Sequence, residues 1–225
     1  MPDQTFTYGQ EGQSLNECKF TKTKSRFLGW SKKNGAKVAE YYDRQPISTL
    51  STTDNATVTL YAVWVGADAK TYPVNYLQPT GGSLKVTAGG ETVGAGTEVL
   101  AGTSLSVEAK PDAGYTLASL LVNGQQHTSG DSHVVRSETT IAAEFRGIFY
   151  TVVFHNGIPG KADETREQAF NYGERKALKK CPFAYEGYSC IGWASAEDRN
   201  TKLYDEQQVV GDLTTEAGKQ IHLYP

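Results

Sequence analysis

The sequence has few of the residues on which most sites depend. Three cysteines and four histidines occur among 225 residues, too few for a scaffold held by disulfides. No apolar run approaches the roughly 18 residues that a membrane-spanning helix needs. The net charge is −3, which argues against a wholesale nucleic-acid binder. The polar start, residues 1–13, carries no signal peptide.

The sequence also does not match the residue spacing of common catalytic and cofactor-binding motifs. The stretch Gly187–Gly192 is one residue too long for a nucleophile elbow. The glycines of Gly94–Gly96 lack the lysine of a phosphate-binding loop. The histidines 127, 133, 155 and 222 lie more than four residues apart, and no Cys-x-x-Cys occurs. The sequence therefore predicts no enzyme, no catalytic residues, no cofactor and no metal site.

The local pattern is β-strand almost throughout. Threonine occurs 24 times and tyrosine 13 times, and both favour strands. The runs Val58–Trp64 and Tyr150–Phe154 are typical strands, and alternation at Leu105, Val107 and Ala109 indicates a half-buried one. Two short helices are predicted between strands, at Gln10–Lys19 and Glu174–Lys180.

An internal repeat organises the chain. The same landmarks occur near both ends, displaced by 162 to 164 positions. They include Tyr8-Gly9 and Tyr172-Gly173, Cys18 and Cys181, Gly29-Trp30 and Gly192-Trp193, Tyr42-Asp43 and Tyr204-Asp205, and Leu60-Tyr61 and Leu223-Tyr224. Many landmarks at a nearly constant offset indicate two copies of one module.

The repeat predicts three modules. Residues 1–66 form a module without its first strand, 67–147 a different β module, and 148–225 a second copy truncated at its last strand. The simplest interpretation is a fragment of a longer array, since an incomplete module exposes unpaired backbone. The alternative is that another chain supplies a strand beside Phe6–Gly9, as in strand addition.

The motif Gly187-Tyr188-Ser189-Cys190-Ile191-Gly192-Trp193 resembles the internalin B-repeat, or Listeria–Bacteroides repeat, family. In the first copy Gly29-Trp30 is kept, but Lys24-Ser25 stand where Gly-Tyr is expected. The middle segment resembles divergent relatives of this repeat through Gly114-Tyr115 and Val122-Asn123-Gly124. The resemblance implies a mainly β fold of small α+β, β-grasp-like modules in a tandem string. It also implies an extracellular or cell-surface location in bacteria, and no catalytic residues.

Conserved spacing between the copies also assigns structural roles. Trp30 and Trp193 are predicted to be buried in the cores, because a large ring after glycine packs closely. Cys18 and Cys181 are expected to be small buried side chains. Cys190 stands where the first copy has Phe27, and a Cys181–Cys190 bridge is left open.

One uneven feature is a cluster of positive charge without an acidic residue, the candidate polyanion-binding site. It consists of Lys19, Lys22, Lys24, Arg26, Lys32, Lys33 and Lys37. Such a cluster could hold a sulfated glycan or an anionic surface polymer. The alternative is a solvated face whose charges discourage aggregation.

These observations predict a non-catalytic repeat region that acts as a spacer, an adhesive or a partner-binding module. The expected partners are a host or cell-surface protein or glycan, with strand exchange at the incomplete first module. The alternative is a carbohydrate- or polyanion-binding accessory module, which exposed tyrosines at 41, 42 and 185 would favour. An enzyme would need a concave pocket lined by perturbed titratable groups.

Overall fold

The computed structural model describes residues 1–195 and 198–225. About 41% of the chain is strand, arranged in several small sheets, and the described residues contain no helix. The mainly β fold with repeated modules, predicted from alternation and spacing, is therefore confirmed. Within the described ranges there is accordingly no helix that could cross a membrane.

The chain divides into two compact units. The first unit comprises Met1–Lys110 and Ser119–Glu144, and the second comprises Pro111–Ala118 and Phe145–Pro225. The first copy of the repeat lies in the first unit, and the second copy lies in the second. The predicted module boundaries at 66/67 and 147/148 stay a prediction.

The first copy contains a single antiparallel pair. Its strands are β1 (Ser25–Ser31) and β2 (Tyr61–Gly66). The pairing joins Ser31 to Tyr61 and Trp30 to Ala62, and a bulge interrupts it between Phe27 and Gly29. The bulge lets one short strand contribute to two clusters, with Trp30 in one and Leu28 in the other.

The middle segment forms two sheets from nine strands, in the orders β10-β7-β4-β5 and β6-β3-β11-β8-β9. The strands are β3 (Thr71–Tyr76), β4 (Gly82–Ala88), β5 (Glu91–Thr92), β6 (Thr97–Leu100), β7 (Ser104–Pro111), β8 (Tyr115–Val122), β9 (Gln125–Gln126), β10 (Ser132–Val134) and β11 (Thr139–Gly147). Leu105, Val107 and Ala109 are buried, as their alternation predicts. Asn123 and Gly124 both have positive φ, at 51° and 75°, and turn β8 into β9.

The second copy forms a four-stranded sheet in the order β13-β12-β17-β15 and a small pair, β14-β16. Its strands are β12 (Phe149–His155), β13 (Thr165–Asn171), β14 (Lys176–Ala177), β15 (Ala194–Ser195), β16 (Val209–Val210) and β17 (Gln220–Tyr224). Strand β12 is central, because it pairs antiparallel with β13 and parallel with β17. The predicted strand at Tyr150–Phe154 thus lies within β12.

The predicted strand at Val58–Trp64 is wrong at its start. Strand β2 begins at Tyr61, so Val58 and Leu60 lie outside it. In the second copy the equivalent residues, from Gln220 onward, pair with β12. The first copy has no such neighbour in the described structure. Without that partner, residues 57–60 have no ladder to join.

Both predicted helices are also wrong. In Gln10–Lys19 the N–H of Leu15 donates to the carbonyl of Gln45 at 2.9 Å, and Ser14 bridges Pro46. In Glu174–Lys180 the N–H of Leu178 donates to the carbonyl of Gln208 at 2.9 Å. Long-range backbone pairing therefore takes the donors that a helix would have used internally.

The two tryptophans are buried, as predicted from the motif. Trp30 is 6% exposed and packs with Leu15 and Ile47. Trp193 is fully buried and lies 4.5 Å from Phe154, measured between ring centroids. Each copy therefore has its own aromatic core.

Candidate functional site

The Gly-Trp corner has the same backbone geometry in both copies. The N–H of Trp30 donates to the carbonyl of Tyr41 at 2.7 Å, and that of Trp193 donates to Tyr204 at 2.7 Å. The preceding glycines have φ of 147° at Gly29 and 146° at Gly192. A Cβ on either glycine would lie 2.3 Å from the facing carbonyl oxygen. The motif therefore needs glycine for close backbone approach.

The turn that follows the corner is repeated as well. Gln45 Oε1 accepts the N–H of Tyr42 at 2.9 Å, and Gln208 Oε1 accepts that of Asp205 at 2.8 Å. Further back, a carboxylate caps each repeated cysteine. Asp43 Oδ1 accepts the N–H of Cys18 at 2.9 Å, and Glu206 Oε1 accepts that of Cys181 at 2.7 Å. The structure therefore matches Tyr41 with Tyr204 and Asp43 with Glu206, so the predicted match of Tyr42-Asp43 with Tyr204-Asp205 is wrong by one position. The two copies therefore share these hydrogen bonds as well as the sequence motif.

The two copies differ in whether they contain the central strand β12. In the second copy Tyr150, Val152 and Phe154 of β12 are fully buried. The first copy has no equivalent strand among its described residues. Phe6 is only half-buried there, whereas its counterpart Phe170 is fully buried.

Leucine and tryptophan show the same contrast between the copies. Leu223 is 1% exposed, whereas Leu60 is half-buried. The indole N–H of Trp193 donates to the carbonyl of Lys179 at 3.3 Å. The buried indole N–H of Trp30 has no acceptor among the described residues. The core of the first copy is therefore less closed.

The basic cluster is partly neutralised in the fold. Lys19 pairs with Glu17, Arg26 with Glu98 at 2.7 Å, and Lys33 with Glu91 at 2.7 Å. A hydrogen bond from Thr71 and then the Arg26 guanidinium lower the pKa of Glu98. The Lys33 ammonium and then the backbone N–H of Lys37 lower the pKa of Glu91.

Other members of the cluster stay accessible. The Lys32 ammonium donates to the carbonyl of Leu50 at 3.1 Å and lies 5.9 Å from the ring centre of Tyr41. Lys22, Lys24 and Lys37 are exposed, and no carboxylate of the described residues forms an ion pair with them. Together with the exposed Lys32, these three lysines are the part of the cluster that can meet an anion.

A cluster that sequence reasoning missed joins two thiols and a carboxylate. Cys181, Cys190 and Glu206 are each half-buried, and their ligand atoms all lie within 4.8 Å of one another. Burial, and then the nearby Cys181 and Glu206, raise the pKa of Cys190 to about 11. None of the three cysteines, all within the described residues, is bridged. Cys18 and Cys181 are half-buried rather than fully buried.

A second unpredicted cluster links an aspartate to two histidines. His155 Nδ1 lies 2.5 Å from Asp163 Oδ2, and its Nε2 lies 2.8 Å from His222 Nδ1. His155 is 8% exposed and stacks on Tyr224 at 4.3 Å. The two histidines are 67 positions apart. Local spacing could not reveal the contact, which forms because β12 and β17 pair in parallel.

Two exposed tyrosines stack on each other in one loop of the second copy. Tyr185 and Tyr188 stack with centroids 4.7 Å apart, and Tyr188 is 73% exposed. Ile191, in the same loop, is 77% exposed. Of the tyrosines expected to be exposed, Tyr42 and Tyr185 are marginally so and Tyr41 is half-buried.

Comparison with protein families agrees with this geometry. The Listeria–Bacteroides repeat domain matches residues 1–63 and 150–217, and the divergent InlB B-repeat domain matches residues 82–148. No curated protein and no solved structure matches the chain. Both families consist of repeat domains that are generally non-catalytic and are typical of bacterial surface proteins. The resemblance in the sequence is confirmed, and because the first model covers more than half of its length, the chain belongs to the Listeria–Bacteroides repeat family.

Proposed function

We propose that the chain is a non-catalytic part of a bacterial surface or secreted protein, where it spaces other elements and accepts an added strand, from its own protein or from a partner, in its first copy. The first copy carries this proposal. It repeats the Gly-Trp corner of the second copy, but no strand of the described structure lies between residues 2–8 and 57–61, which are equivalent to the two neighbours of β12.

The second copy indicates what the segment should look like. Strand β12 buries the alternate residues Tyr150, Val152 and Phe154, and its backbone pairs on both sides. A strand added to the first copy would meet the half-buried Phe6 and Leu60. Strand addition gains affinity from backbone hydrogen bonds and specificity from alternate side chains. The segment that fits this position is therefore an extended one with an aromatic, aliphatic, aromatic alternation.

A peptide-binding experiment tests this proposal. The probe is a peptide of residues 148–157 with two added lysines for solubility, titrated into the full chain. We expect saturable binding and slowed amide exchange at residues 4–8 and 57–60. The matched control replaces Tyr150, Val152 and Phe154 of the peptide by serine. Equal binding of both peptides, or no change in exchange at either segment, would contradict the proposal.

The surface location is tested on intact cells of the source bacterium. Antibodies raised against the chain should stain unpermeabilised cells or detect the protein in the medium. Staining that appears only after the cells are lysed would contradict an extracellular role.

Carbohydrate binding is a second candidate function, and the Tyr185–Tyr188 pair favours it. Stacked, exposed tyrosines provide flat faces that can pack on a sugar ring. On a glycan array, Tyr188→Ala should lose any signal that the parent chain gives. The control is Tyr8→Ala, since Tyr8 is 70% exposed in the first copy. A signal unchanged by Tyr188→Ala, or no signal from the parent chain, would reject this candidate.

A further inference from the structure

The cluster of Cys181, Cys190 and Glu206 has the composition of a metal site. Their ligand atoms lie within 4.8 Å of one another, and all three residues are half-buried. Two sulfurs and one carboxylate suit a borderline-soft divalent cation such as Zn²⁺, which takes thiolate and carboxylate ligands in tetrahedral geometry. Mg²⁺ and Ca²⁺ require oxygen ligands, and this cluster offers only one carboxylate.

Backbone contacts hold the three groups in place. Glu206 is fixed because Oε1 accepts the N–H of Cys181 at 2.7 Å. The sulfur of Cys181 lies 3.8 Å from the carbonyl oxygen of Phe183, and that of Cys190 lies 3.4 Å from the carbonyl oxygen of Gly192. These weak contacts leave both sulfurs directed at the same small region as the carboxylate.

The first copy shows that the fold does not require this cluster. Cys18 and Asp43 repeat the capped cysteine, with a distance of 2.9 Å between N and Oδ1. Phe27 occupies the position of Cys190, and its ring packs on Trp30 at 5.0 Å. The second thiol therefore replaces an aromatic contact of the module with a ligand atom. Packing against the tryptophan explains a phenylalanine at position 27, but it does not explain a cysteine at position 190.

We propose that Cys181, Cys190 and Glu206 bind one thiophilic divalent cation of the zinc type. Water is the expected fourth ligand, as at three-ligand zinc sites. The cation would close the loop between Cys181 and Cys190, which carries the Tyr185–Tyr188 pair. The proposal is independent of the proposed function, since it rests on the geometry of the second copy alone.

The test uses the full chain, reduced and freed of metal by a chelator, and titrated with Cd²⁺ and then Zn²⁺. We expect one Cd²⁺ per chain with a thiolate-to-metal charge-transfer band, and displacement of that band by Zn²⁺. Cys190→Phe, which reproduces the residue of the first copy, should abolish the band. Cys18→Ser should retain it, and Glu206→Gln should weaken binding without removing it.

Three results would overturn the proposal. One is the absence of a charge-transfer band in the reduced parent chain, provided that circular dichroism shows it is folded. Another is an equal band in Cys190→Phe. The last is a chain that has lost two hydrogen atoms by mass, has one thiol that titrates, and binds no cation after reduction. That last outcome would identify the pair as a disulfide.

Discussion

A Cβ built on Gly192 would lie 2.3 Å from the carbonyl oxygen of Tyr204, and a Cβ built on Gly29 would lie 2.3 Å from that of Tyr41. The facing carbonyls accept the N–H groups of Trp193 and Trp30. The glycine before each tryptophan therefore allows the hydrogen bond that places the indole ring in the core.

Alanine at either of these glycines should destabilise its own copy. We expect Gly192→Ala to cost about 2–4 kcal/mol of unfolding free energy, because the backbone must move to relieve the contact. Urea denaturation monitored by tryptophan fluorescence measures this cost. The matched control is Gly187→Ala, with φ of 79° but open space around its Cβ, which should cost about 1 kcal/mol. If the two substitutions cost the same free energy of unfolding, the positive φ, and not the close carbonyl oxygen, is the reason for glycine at position 192.

The half-open core of the first copy predicts unequal effects at equivalent phenylalanines. Phe170 is fully buried and stacks on Tyr150 at 5.5 Å, so Phe170→Ala should cost about 3–5 kcal/mol. Phe6 is only half-buried, and Phe6→Ala should cost about 1–2 kcal/mol. Native-state hydrogen exchange measures the free energy of unfolding of each copy separately. Comparable losses at both positions would mean that the first core is closed.

Glu91 should make stability depend on pH in the acid range. Its pKa is lowered in the fold, first by Lys33 and then by the N–H of Lys37. A lowered pKa contributes stability above the unfolded value of about 4.3, and this stability is lost as the pH falls through the folded value. The difference in melting temperature between the parent chain and Glu91→Gln should therefore be largest at neutral pH and disappear in acid.

The control for Glu91 is Glu108→Gln, an exposed carboxylate on β7. It should change the melting curve little at any pH. A constant offset between the parent chain and Glu91→Gln down to the most acidic samples would contradict the assigned ion pair.

The accessible lysines predict how the chain would bind an anionic polymer. Replacing Lys22, Lys24 and Lys37 by alanine should remove retention on a heparin column, and added salt should weaken retention of the parent chain. The matched control replaces Arg175, Lys179 and Lys180, which removes the same charge from the second copy. If both triple variants elute together, or salt has no effect, the cluster is only a solvated face.

The sequence alone revealed the features that depend on local spacing. The buried tryptophans of the Gly-Trp motifs and the strand around Tyr150 both follow from short patterns. Features that depend on distant partners were missed. The late start of β2 and the absent helices depend on which backbone groups face residues 57–60 and 10–19.

Both side-chain clusters were missed for the same reason. His155 meets His222 because β12 and β17 pair in parallel, and Cys190 meets Glu206 because the corner at Trp193 folds back on Tyr204. A signal for the second cluster was nevertheless present. Cys190 replaces an aromatic residue of the first copy, and Glu206 directly follows the Tyr204-Asp205 landmark.

The central claim is that two distant stretches of the chain are copies of one module and adopt the same fold. A crystal structure of the 225-residue chain tests it most directly, by superposing residues 13–62 on residues 176–225. We predict one common backbone path, with the N–H groups of Trp30 and Trp193 donating to Tyr41 and Tyr204. Divergent paths at the two tryptophans, or different acceptors for their N–H groups, would contradict the account.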